Sequence, residues 1–163
     1  MQNASAVGFA AVWLGLAAGA AGQTATATLS AGVAPLARLS ISVNSLTFPD
    51  SDPDLMPQVP AAQGPVSITA KARASQNAVV MLTVQATDNL RSGTTVLPAS
   101  LITWTGSGPG FVAGTLNATV PQTVASWTGS GARTGTQSYQ LDNRWTHPTG
   151  TYSVTLVYIL SAP

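Results

Sequence analysis

The chain has no cysteine, no glutamate, one histidine and one lysine, and few charges of either sign. Without cysteine there are no disulfides, no thiolate metal sites and no lipid-modified N-terminal Cys. Charged residues make up 7% of the 163, against roughly 25% in an average soluble protein. Six Lys/Arg against five Asp give a net charge of +1, which excludes the basic footprint of a nucleic-acid binder. A helical bundle normally covers its surface with Glu and Lys, and this chain has almost neither. Catalysis is poorly served too. His147 would have to be the base for any serine nucleophile, no Gly-x-Ser-x-Gly elbow occurs, and His147-Pro148 reads as a turn. Zinc needs about three N, O or S ligands. The expectation is a protein that is not an enzyme and needs no cofactor.

What remains is apolar residues, 45% of the chain, and much Ser, Thr, Gly and Pro. The apolar residues are patterned. Ala4 to Gly22 form one run whose centre, Val7 to Ala18, has the length of a signal-peptide core. Ala18-Gly19-Ala20 then fits the small-residue cleavage pattern. Residues 1–22 are read as a secretory signal peptide, touching the membrane only in transit, and 23–163 as one domain. An uncleaved anchor is the alternative, since about 20 apolar residues can span a bilayer. Destination is therefore secretion or the cell surface. A domain of about 140 residues buries enough surface to fold without a disulfide staple.

Beyond the leader the period is two. Leu39, Ile41 and Val43 alternate with serines; Val66, Ile68 and Ala70 with Ser67, Thr69 and Lys71. Val80, Leu82 and Val84, then Leu116, Ala118 and Val120, then Tyr152 to Leu160 follow the same rule. Such alternation puts one residue set on each face of a sheet. Turn residues separate the runs: the proline-rich stretch Pro49 to Pro65, Asp88 to Gly93, Gly106 to Gly110, Gly129 to Gly131 and His147 to Gly150. Seven to nine short strands and no helix predict an all-β fold, an antiparallel, Ig-like β-sandwich.

Two constellations stand out. Asp50, Asp52 and Asp54 alternate along five residues, a spacing that could offer oxygen ligands to Ca²⁺. Leu55 and Ala61 stand where a calcium helix-loop-helix would need Gly and Glu, so the alternative is a solvated acidic turn. Trp104-Thr-Gly-Ser-Gly108 recurs as Trp127-Thr-Gly-Ser-Gly131. Exposed, Trp104 and Trp127 would be glycan-binding platforms; buried, each would fill the core with 150–250 Å² of side chain.

The segment Gly150-Thr-Tyr-Ser-Val-Thr-Leu-Val-Tyr158-Ile-Leu160-Ser-Ala-Pro163 resembles the terminal strand of the WxL family of bacterial surface proteins. Tyr158-Ile159-Leu160 takes the place of Trp-x-Leu, and Leu39 to Phe48 is similar to an early strand of that family. The resemblance implies a cell-wall protein that binds peptidoglycan non-covalently. Subunits of secreted pili, also Ig-like sandwiches with alternating terminal strands, resemble the chain equally well. The expected role is structural or adhesive, by self-association or by binding a cell-surface polysaccharide. The alternatives are a filament subunit assembling by strand exchange and a carbohydrate-binding module. Strand exchange has a candidate donor: Ala25, Ala27, Leu29, Ala31 and Val33 alternate with Thr24, Thr26, Thr28 and Ser30, ahead of the main apolar block.

The leader generates the first prediction. Intact-mass measurement of protein recovered from the culture fluid or envelope should show loss of the first 20 to 22 residues. Full-length protein held in membranes would point to the uncleaved anchor.

Overall fold

The structure is a computed structural model that describes residues 28–163. The expected signal peptide, and the first part of the candidate donor segment, lie outside the described residues. The chain divides into Met1–Gly32 and Val33–Pro163, and the architecture below is that of the second.

Val33–Pro163 is all-β, as the alternation predicts. The described residues form eleven strands: β1 Leu36–Ile41, β2 Gln58–Pro60, β3 Val66–Arg73, β4 Val79–Ala86, β5 Leu90–Ser92, β6 Thr95–Leu97, β7 Ile102–Ser107, β8 Gly114–Thr115, β9 Gln122–Thr128, β10 Gly131–Asp142 and β11 Leu156–Ser161. Seven of these have six residues or more. The count exceeds the expected seven to nine because four strands are only two or three residues long. One of them, β2, lies in the proline-rich stretch expected to be loop. Another, β5, lies in the expected turn Asp88 to Gly93 and forms a hairpin with β6 around Gly93, whose φ is 57°.

Every pairing is antiparallel. One sheet runs β1-β3-β10-β7-β8, with β2 also on β10; a second runs β11-β4-β9. β10 is the axis of the larger sheet. Its first half pairs with β3, from Gly131↔Ala72 to Gln137↔Val66, and its last residues pair with β2, up to Asp142↔Gln58. β7 covers its other side.

The core lies between the sheets. Val66, Ile68 and Ala70 on β3 and Val80, Leu82 and Val84 on β4 are buried, and the residues between them face out or are half-buried. Leu116 to Val120, expected as a strand, is not one. The Asn117 carboxamide oxygen accepts from the Thr119 and Val120 backbone N–H groups at 2.8 and 3.0 Å. A side chain that captures its own neighbours' donors competes with the ladder and makes a turn.

Glycine has one specific use in β10. A Cβ on Gly135 would stand 2.5 Å from the Ser107 carbonyl oxygen and would overlap the Phe111 ring. The strand is bare there so that Phe111 can lie against it. Gly135→Ala should therefore cost about 1–3 kcal/mol through overpacking. Gly32→Ala, with nothing within 4 Å, should change little. Urea unfolding of the two variants checks the contrast.

Candidate functional site

Two strands end the sheets on the same side of the sandwich. β1 is the edge of the larger sheet and β11 the edge of the smaller. Their inward side chains differ from those of the central strands. Leu39 and Ile41 on β1, and Leu156, Tyr158 and Leu160 on β11, are only half-buried, whereas Leu82 and Val84 on β4 are fully buried. Beside Ile41, Leu156 and Tyr158 lies a groove of about 490 Å³ between the two edges. Ile41, Val43 and Phe48 form one wall, and Tyr152, Val154 and Leu156 the other. Val66, Ile102 and Tyr139, which belong to the core proper, line it too. The groove therefore reaches down to the core between the two edge strands, where Val66, Ile102 and Tyr139 remain buried.

A polar knot sits beside this groove. The Tyr139 and Tyr158 hydroxyls lie 3.0 and 2.8 Å from the Gln137 side-chain oxygen and also meet each other, and their two protons serve two of these three contacts at a time. Tyr139 and Gln137 stand on β10 and Tyr158 on β11, so the knot ties the two sheets together. Gln137 is fully buried, and its Nε2 has no partner among the described residues. Burial pushes the Tyr139 hydroxyl far above the ordinary phenol range, with further upward pressure from Tyr158. Burial also raises Tyr158, partly offset by its hydrogen bond with Tyr139. Both phenols stay neutral at physiological pH. The cluster links the two sheets.

The Trp candidates are corrected. Trp104 is 2% exposed and Trp127 7%, so neither presents a face to sugar. Trp104 lies 6.0 Å from the Tyr139 ring, and its indole N–H donates to the Val112 carbonyl at 3.0 Å. Gly114 is bare where the Trp104 ring passes. Trp127 sits in a small cluster with Ala70, Ala72 and Val80, under the Arg133 guanidinium at 5.6 Å. Both take the core role because inward positions on β7 and β9 need large side chains to reach across the sandwich. The exposed indole is Trp145, at 69%. Its sequence signal was its place among Asn143, Arg144, His147 and Pro148, outside any alternating run.

The acidic triplet gathers no ligand set; among the described residues no three of His, Cys, Asp and Glu come together to hold a metal ion. The Ca²⁺ candidates Asp50, Asp52 and Asp54 lie in a loop, where two of the three carboxylates accept hydrogen bonds from the protein itself. The Asp52 carboxylate accepts from the Asp54 backbone N–H at 2.9 Å, and the Asp54 carboxylate from the Trp145 indole N–H at 3.0 Å. The His147 backbone N–H donates to the Arg144 carbonyl in a turn.

Among known proteins, no family model matches the chain and no curated protein is significantly similar to it.

The tyrosine knot sets a pH dependence. In the unfolded chain both phenols ionise near pH 10.0, and in the fold they ionise above it. The folded state thus holds protons that the unfolded state releases, and stability falls as pH rises past 10. Thermal melting from pH 8 to 11.5 should show this loss. Tyr158→Phe, which removes one buried phenol, should make the decline shallower.

Proposed function

We propose that this chain is a secreted structural subunit of a bacterial surface assembly, in which a strand from one copy fills the open groove of the next. The groove between β1 and β11 is the observation that carries the reading. It is lined by both apolar and polar side chains, it reaches down to the core residues Val66 and Tyr139, and it lies between two strands that each end their sheet. Such an edge templates strand addition, with main-chain hydrogen bonds for affinity and alternate side chains for fit. The donor is Thr24 to Val33. It has ten residues, as does the stretch Tyr152–Ser161 that it would lie along. Its described apolar side chains are unburied: Leu29 is 97% exposed and Val33 70%. The resemblance of the terminal strand to that of pilus subunits favours the same reading. Carbohydrate binding through Trp104 and Trp127 loses its support, because both rings are buried.

The test deletes residues 23–33. The parent protein should form high-mass species by size exclusion, and the truncated protein should not. The truncated protein should also melt earlier, and a synthetic peptide of residues 23–33 should restore its melting temperature through binding to the native state. A truncated protein that melts like the parent, with both monomeric, would end this reading.

A further inference from the structure

All eleven charged side chains lie within residues 28–163, and they are not mixed. Arg38 pairs in register with Lys71, and Leu36 with Arg73, on the outer face of β1 and β3. Ala132 of β10 adjoins Lys71, and Arg133 follows it. These four cations, at the Gly131 end of β10, make no ion pair among the described residues. At the other end of β10, Gln58 Nε2 donates to Asp142, the Asn143 side-chain NH₂ to the Ser51 carbonyl, and Trp145 to Asp54. The loop carrying Asp50, Asp52 and Asp54 is thereby fixed at the Asp142 end, and none of the three carboxylates makes an ion pair. Asp142 is neutralised by Arg144 at 2.6 Å, and Asp88 by Arg91 at 2.6 Å. Four unpaired cations and three unpaired carboxylates account for the whole net charge of +1.

The two ends are far apart. Twelve residues of β10 span about 37 Å at roughly 3.4 Å per residue, and charges are screened beyond about 10 Å at 0.1 M salt. The poles therefore do not stabilise one molecule. Each also carries apolar surface. At the acidic pole Leu55 is 84% exposed beside the pinned Trp145. At the basic pole a shallow depression of about 220 Å³ lies among Leu36, Arg38, Lys71, Ala72 and Arg73. Aromatic residues and Arg are enriched at interface centres, with a polar rim around them, and cations beside a ring add attraction.

We infer that these poles are the two halves of one head-to-tail contact between copies, with Trp145 and the acidic loop of one docking on the basic depression of the next. The inference rests on the reading of the chain as a self-assembling subunit, and it gives that assembly a direction. The chain enters β1 at the basic pole, where Leu36 pairs with Arg73. The groove wall Val43 to Phe48 runs straight into the acidic loop at Asp50. A donor leaving the basic pole of one copy thus enters the next from its acidic end. Its ten residues then run antiparallel to β11, the more stable of the two strand pairings. Approach of like poles is repelled, so the wrong orientations are suppressed. Unlike faces that do not close on themselves generate open chains.

The test is a charge swap in the full chain. One variant carries Arg38→Glu, Lys71→Glu and Arg73→Glu, so that both of its poles are acidic. The other carries Asp50→Lys and Asp52→Lys, so that both are basic. Sedimentation velocity should show each variant alone associating at least tenfold more weakly than the parent, and the equimolar mixture recovering long species. The parent should associate about tenfold more weakly in 500 mM than in 50 mM NaCl, an arm that needs no substitution should a variant fail to fold. Variants that assemble alone like the parent, while deletion of residues 23–33 abolishes assembly, would overturn the polar contact and leave strand exchange standing. If the parent is monomeric at both salt concentrations, both ideas fall together.

Discussion

The hydroxyls of Tyr139 and Tyr158 meet where the two sheets would otherwise part. Elsewhere the sandwich is held by interdigitated aliphatic side chains such as Ile68, Leu82 and Val124. Along the β1–β11 side the inward aliphatic side chains, Leu39 and Leu160 among them, pack against that core only partly buried. Gln137 is the only polar residue that is fully buried among those described, and it accepts from both tyrosines. A buried polar group that is not hydrogen-bonded is costly, so this geometry is maintained only while β10 and β11 keep their present separation. Tyr139 and Tyr158 both line the groove, so its width follows from that spacing.

The fold was legible where burial and hydropathy share a period. On β3 and β4 each apolar residue falls on the buried face, and the pattern alone reveals the strand. β10 is the longest strand and the least legible. Gly135, Gln137 and Tyr139 take its buried positions, so a glycine and a glutamine stand where apolar residues would mark the period. Burial alternates there, but hydropathy does not. Leu116 to Val120 shows the converse: its hydropathy alternates, yet the Asn117 side chain captures the backbone donors that a ladder would need.

The site was less legible than the fold. The groove is a relation between β1 and β11, near opposite ends of the chain, and neither strand is unusual by itself. The edge character of the last strand was readable from its apolar alternation, but its partner edge was not. The charge poles depend on β10 carrying β3 at one end and β2 at the other, which no local pattern reports. The aromatics were ambiguous because a Trp before a Gly-Ser turn suits either a platform or a core plug. Gly114, bare beneath the Trp104 ring, decides that question only once β7 and β8 are paired.

The register of β1 has a mechanical consequence. Its six residues pair with β3 from Leu36↔Arg73 to Ile41↔Ile68, and the chain enters it at the Leu36 end. Under tension applied at that end along the strand, all the inter-strand hydrogen bonds of the pair are loaded together, in shear, instead of opening one after another from an end. A subunit joined to its neighbour by that segment would resist stretching without a single covalent cross-link, in a chain that has no cysteine to make one.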